Sequence, residues 1–259
     1  KSKILISNYF SLNVISSIAG FILFKKTILC EHSPPSLTPF IKPLSYKIFA
    51  SLSYNLSHII AANSIGTSED ILKSALIKKN KVIPIYNPVD DHGYRVNYKN
   101  KINNKLKIVS VGKFKEQNNF FLLLDAFKLL NKKLDSELLI IGDGLLKLKL
   151  TQYAKEKGID HKVNFVGYMN DPYKLVSKCD VFVLSSDYEG LPTVLIEAAY
   201  TGIAIVSTDC PWGPKEILES YESCELVPIK NPIAMSAAII KISKRKINNI
   251  NNNKTLDKF

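Results

Sequence analysis

The sequence predicts an α/β protein made of two Rossmann-like, doubly wound domains, and three observations carry that prediction. Short apolar runs alternate with stretches of helical period along most of the chain. A polar stretch with Pro, Gly and Asn, from Pro88 to Lys105, interrupts the alternation and divides it in two. Near the carboxyl end lies a complete parallel unit: an apolar strand (Val181 to Leu184), a polar loop (Ser185 to Leu191), a helix opening at Pro192 and a second strand (Ala204 to Ser207).

In the first half the expected strands are Ile4–Ser7, Thr27–Glu31, His58–Ala62 and Lys81–Tyr86. Helical patterns lie between them at Leu12–Phe24, Phe40–Leu56 and Ser68–Ile77. The second half reads as strand Lys107–Val111, helix Asn119–Leu130, strand Leu138–Ile141, helix Leu145–Lys157, strand Val163–Val166 and helix Pro172–Ser177. The parallel unit follows, then a helix over Pro232 to Ile242. The expected organisation is a domain over 1–88, a linker over 89–105, a domain over 106–243 and an Asn/Lys-rich tail over 244–259. That tail has too little apolar content to order itself.

At 259 residues both domains can bury a core. The net charge of +12 suits phosphates or an anionic lipid surface, and it also fits a Lys- and Asn-rich background composition. The lysines are scattered without interleaved aromatics, so nucleic acid is not expected as a partner, while peripheral membrane contact stays open. Cys30, Cys179, Cys210 and Cys224 form no Cys-x-x-Cys or Cys/His cluster, which points away from structural zinc and a disulfide framework and towards a reducing cytoplasm. Cys30 and Cys179 read as buried filler. The apolar run Val14 to Phe24 is too short to span a bilayer and ends at Lys25 and Lys26.

The strand–loop–helix at 181–202 is the expected ligand site, because parallel sheets bind ligands at the carboxyl ends of their strands. Pro192 and Gly202 bracket its helix to Thr193–Thr201. The helix amides and dipole favour a phosphate there, and Glu189 and Glu197 would suit the hydroxyls of a sugar or ribose. A nucleotide-sugar has both parts.

The run SSDYEGLPTVLIEAAYTGIAIVSTDCPWGPKEIL resembles the donor-site signature of retaining glycosyltransferases of family 4, which have the GT-B fold. Glu189 and Glu197 match its Glu-x7-Glu pair, and Gly213, Pro214, Lys215, Glu216 and Ile217 match its Gly-Pro-x-Glu-Ile. Tyr86-Asn87-Pro88-Val89-Asp90 resembles the sequence at the family's domain junction. Ile140-Ile141-Gly142-Asp143-Gly144 is similar to a turn common in the family. It lacks the third glycine of a dinucleotide fingerprint, and its glycines read first as a tight turn. The family's amino-terminal domain begins with a strand and a glycine-rich loop that are not visible here, so the reading is of an incomplete amino-terminal domain.

The resemblance implies two domains facing a cleft and assigns roles to single residues. Glu197 would meet the ribose and Glu189 the sugar ring, with the backbone of Gly190, Leu191, Pro192, Thr193 and Val194 facing sugar and diphosphate; the plain alternative is two solvated surface acids. Gly112, Lys113 and Asn118 resemble the positions that hold the diphosphate, but Lys113 replaces an Arg and Asn118 a Lys. Lys113 reads otherwise as a surface lysine. His32, after Glu31, would face the transferred sugar as a catalytic residue with Glu189 and Lys113, or else cap a strand end. Gly167 and Tyr168 would meet the base.

The implied activity is that of a retaining hexosyl- or N-acetylhexosaminyl-type glycosyltransferase. It would carry a sugar from a nucleoside-diphosphate sugar, expected to be a UDP-sugar, to a saccharide or lipid-linked acceptor in surface glycan or lipopolysaccharide biosynthesis. No metal and no cofactor beyond the nucleotide-sugar co-substrate is expected, since no Asp-x-Asp triplet is present. The expected place is the cytoplasm, at the inner face of a membrane. The alternative reading is a non-catalytic nucleotide-sugar-binding fragment or decayed enzyme, for which Asn118 is one argument.

Overall fold

The computed structural model describes residues 2–37, 43–96, 105–245, 256 and 259. By internal contacts the chain forms two compact units. Unit 1 comprises Lys1–Asn87, Glu189–Leu191 and Pro211–Glu216, and unit 2 comprises Pro88–Tyr188, Pro192–Cys210 and Ile217–Phe259. The sequence alone places 189–191 and 211–216 in the expected domain over 106–243.

Unit 1 carries a parallel sheet in the order β1 (Ile4–Asn8), β2 (Lys26–Glu31), β3 (Ile59–Ala62), β4 (Val82–Pro84). Its helices are α1 (Phe10–Ile22), α2 (Pro43–Leu56) and α3 (Ile65–Ser74), and Leu29, Tyr54, Ile60 and Ile71 form its core. Helix α1 is inverted. Its buried residues are Asn13, Ser17 and Gly20, while Leu12, Ile15 and Phe21 are exposed. The inward face must be small and polar because α1 sits close on β2: a Cβ on Gly20 would lie 2.1 Å from Thr27 Cγ2, and Asn13 Nδ2 donates to the Cys30 carbonyl at 3.0 Å. Cys30 is half-buried rather than filler, whereas Cys179 is buried as expected.

Unit 2 carries a six-stranded parallel sheet in the order β10–β9–β8–β5–β6–β7. The strands are β5 (Leu106–Val111), β6 (Ser136–Ile141), β7 (Val163–Gly167), β8 (Val181–Leu184), β9 (Ala204–Thr208) and β10 (Cys224–Val227). The order reverses between β5 and β8, the switch point of a Rossmann sheet, where the crossovers diverge to opposite faces and open a crevice at the strand carboxyl ends. The helices are α4 (Phe120–Asn131), α5 (Lys147–Glu156), α6 (Tyr173–Val176), α7 (Thr193–Tyr200), α8 (Pro214–Leu218, which begins in unit 1) and α9 (Pro232–Ser243). Leu123, Phe127, Met235 and Ile239 pack into its core with Ile108, Leu138 and Val206. Asn119 and Asn231 cap α4 and α9, each accepting from the backbone N–H three residues on.

Two polar segments depart from the sequence reading. Residues 92–96 of the expected linker are fixed on unit 2. His92 stacks on Tyr173, Tyr94 OH donates to Asp171 Oδ2 at 2.8 Å, and Val96 N donates to the Thr201 carbonyl at 2.9 Å. Residues 97–104 of that linker lie outside the described residues. In the Asn/Lys-rich tail, Leu256 is buried and its carbonyl accepts from Tyr200 OH at 3.4 Å. A single apolar side chain supplies an anchor that mean composition hides. Among the described residues no helix is long and apolar enough to cross a membrane.

Candidate functional site

In unit 2 the loop after β5 and the loop after β8 are stitched together across the switch point. Asp187 N donates to the Gln117 carbonyl at 2.8 Å, Gln117 Nε2 to the Tyr188 carbonyl at 2.8 Å, Asn119 Nδ2 to Asp187 Oδ1 at 2.8 Å, and Ser185 Oγ to the Asn118 carbonyl at 2.8 Å. The β5 loop is also pressed against the β6 loop. A Cβ on Gly142 (φ +147) would lie 1.9 Å from the Gly112 carbonyl oxygen, and one on Gly144 (φ +155) 2.6 Å from that of Phe114. The two glycines permit a backbone approach that any side chain would block.

Within this frame Lys113 is exposed and its ammonium has no protein acceptor among the described residues. The neighbouring cation Lys115 is occupied, its Nζ donating to Gln117 Oε1 at 2.7 Å. Asn118 turns back into its own loop. Its Nδ2 donates to the Lys113 carbonyl at 3.0 Å and closes the loop that carries Lys113, and its buried Oδ1 lacks a partner. The amide reaches back five positions along the chain, a contact that the sequence alone does not show.

Four residues after Tyr188 the chain enters α7. Pro192 occupies the N-cap rather than the first helical position, no side chain caps the helix, and its first turn carries no acid. The amides there and the helix dipole together make a seat for an anion. Glu197, one turn on, is half-buried and accepts a hydrogen bond from Tyr173 OH. Burial first, then the Glu197 charge, pushes the Tyr173 phenol well above its ordinary pKa, so it stays a donor. At the end of β7 the Gly167 carbonyl accepts from Gly142 N at 2.9 Å, and the Tyr168 side chain is 76% exposed.

Unit 1 brings together His32 and the Glu189–Leu191 segment. A Cβ on Gly190 would lie 2.5 Å from the His32 carbonyl oxygen, to which Asn63 Nδ2 donates at 3.0 Å. His32 is half-buried, with Nε2 3.2 Å from Asn8 Oδ1. Glu189 N donates to the Pro211 carbonyl at 2.7 Å, Trp212 N donates to the Glu189 carbonyl at 3.3 Å, and Leu191 is buried. Glu216 ends this arrangement. Its carboxylate accepts from Ile65 N at 3.1 Å, from Gly66 N at 3.4 Å and from Tyr86 OH at 2.5 Å, which neutralises the N-terminus of α3. Among the described residues no three His, Cys, Asp or Glu side chains converge to hold a metal.

Residues 96–256 match the family model for glycosyl transferases group 1, which is well over half of the chain. The chain belongs to the glycosyl transferases group 1 family. Within that family it is similar to the N-acetylgalactosamine-N,N'-diacetylbacillosaminyl-diphospho-undecaprenol 4-alpha-N-acetylgalactosaminyltransferase of Campylobacter jejuni, with 35% identity over 190 residues covering 73% of this chain and 52% of that protein. A second C. jejuni protein, an alpha-1,4-N-acetyl-D-galactosaminyltransferase acting on a GalNAc-containing diNAcBac-PP-undecaprenol, is 26% identical over 91% of this chain and 64% of its own length. The chain thus spans about half the length of the first of these curated relatives, 52%, and 64% of the second. In fold it is similar to Anabaena Alr3699/HepE, crystallised in complex with UDP, at a TM-score of 0.81 and 18% identity over 99% of this chain and 71% of that one.

Two contacts of this group 1 chain were not foreseen from the sequence. Tyr173 lies 24 positions before Glu197, at no spacing that pairs them before folding. Tyr86 and Glu216 each stand in a quoted motif, YNPVD and GPKEI, but their bond joins positions 130 apart.

Proposed function

We propose that this chain carries the donor site of a retaining, family 4 glycosyltransferase that moves a sugar from a UDP-sugar to a saccharide or lipid-linked acceptor. The observation that carries the reading is the uncapped N-terminus of α7, at the Rossmann switch point of a sheet whose stitched loops also present Lys113. The helix terminus and Lys113 would take up the charge that grows on the departing diphosphate, a stabilisation worth roughly 3–4 kcal/mol per well-placed donor. Glu197, one turn along, would accept from the ribose hydroxyls. In unit 1, Glu189 and His32 would meet the transferred sugar, with Gly190 allowing the close approach to His32. Gly167 and Tyr168 would border the base.

The UDP complex of the Anabaena protein supports uracil as the base. The undecaprenol-linked substrates named for the C. jejuni relatives support a lipid-linked acceptor and an N-acetylhexosaminyl donor, used in surface glycan assembly. A lipid-linked acceptor would bring the enzyme to a membrane face, where its net charge of +12 favours anionic lipid.

Calorimetric titration with UDP-, GDP- and ADP-sugars in EDTA tests the reading. Saturable binding of one UDP-sugar with the chelator present supports it. Binding of none of the panel, or binding that needs a divalent ion, contradicts it.

A further inference from the structure

Glu197 follows Thr193 by four residues on α7, so the two share one helix face. That spacing sets the Glu197 Cα about 6 Å along the helix axis from that of Thr193. A ribose is displaced from its diphosphate by a similar length. A glutamate side chain has three torsions, and ordering them costs entropy that weakens a ligand contact unless something else fixes them first. Here a neighbour does. Tyr173 OH donates to Glu197 Oε2, while Oε1 takes no hydrogen bond from the described residues.

Tyr173 is itself clamped. It is 3% exposed, its N–H donates to Asp171 Oδ1 at 3.2 Å, and its ring stacks on His92 with centroids 5.1 Å apart and planes 12° apart. Asp171 is held in turn by Tyr94 OH at 2.8 Å. Residues 92–96 therefore form a strap over the phenol, and the chain of contacts ends on one oxygen of one carboxylate.

We propose that Tyr173 is a positioning residue that presents Glu197 Oε1 to the ribose hydroxyls of the bound nucleotide, with Asp171 and His92 fixing the phenol. This assignment rests on the nucleotide-sugar reading. A phenol that only stabilised the fold would affect every ligand alike, whereas one that orients Glu197 affects only ligands with hydroxyls for it to accept from.

The test is calorimetric titration of the full chain with UDP and with 2′,3′-dideoxyuridine 5′-diphosphate, for wild type, Tyr173→Phe, Glu197→Gln and the double variant. Phenylalanine keeps the ring that stacks on His92, so the variant retains the packing. Tyr173→Phe is expected to weaken UDP about tenfold, the value of one hydrogen bond to a charged group. It should leave the dideoxy ligand unchanged and add nothing in the Glu197→Gln background. Equal losses on both ligands, no loss on UDP, or a further loss in the double variant would overturn the role of Tyr173. A wild type that binds UDP in any of those cases keeps the nucleotide reading intact, and a wild type that binds no UDP overturns that reading together with this one.

Discussion

Glu31 stands beside the proposed catalytic His32 and is 4% exposed at the end of β2, with Asn13 Nδ2 and Tyr54 OH both donating to its Oε1 at 2.9 Å. Neither partner carries a charge. Burial therefore dominates, and the two hydrogen bonds only partly offset it, so the carboxyl is pushed up from 4.5 to about 7. A raised folded-state pKa means that folding takes up a proton. The contribution is fully present below about pH 4.5 and is lost as pH rises through about 7. At about 1.4 kcal/mol per pH unit, the loss is about 3 kcal/mol. Glu31→Gln keeps an oxygen for Asn13 and Tyr54 but has no proton to lose, so it should remove this pH dependence. Trp212 is the single tryptophan and lies in unit 1, so its fluorescence during urea unfolding reports on the same unit. Between pH 5 and pH 8 wild type should lose about 2–3 kcal/mol relative to Glu31→Gln. Parallel pH profiles for the two proteins would refute the reasoning.

Other consequences follow from single contacts. Gly142→Ala sets a Cβ 1.9 Å from the Gly112 carbonyl oxygen and should destabilise unit 2 by about 3 kcal/mol or more in urea unfolding followed by circular dichroism. Gly158→Ala, at φ +69 with nothing within 4 Å, should cost only about 1 kcal/mol in the same assay. Glu216→Gln removes the charge at the N-terminus of α3 and on Tyr86, so the Trp212 transition should shift by about 1–2 kcal/mol, and an unchanged transition would deny the cap. Lys113→Ala should weaken UDP about tenfold and flatten the salt dependence of binding; an unchanged slope would remove Lys113 from the phosphate seat.

The sheets were legible because parallel strands are buried on both faces and read as unbroken apolar runs, as in Val181–Leu184 and residues 204–206 at the start of β9. β10 escaped for the same reason in reverse: Cys224, Glu225 and Leu226 are only half-buried on an edge. In α1 the helical period was readable but not the direction of its faces, since its apolar stripe points away from β2. The β8–loop–α7 unit was legible from Pro192, Gly202 and the strand before them, all local signals. What remained hidden depends on contacts that exist only after folding. Asn118 turning back to Lys113, Tyr173 reaching Glu197 and His92 lying on Tyr173 leave no mark in spacing.

A crystal structure of the chain with UDP tests the central claim most directly. The diphosphate is expected at the α7 N-terminus within reach of Lys113 Nζ, with the ribose hydroxyls donating to Glu197. UDP seated away from the β5–β8 switch point, or bound there with its ribose turned from Glu197, would contradict it.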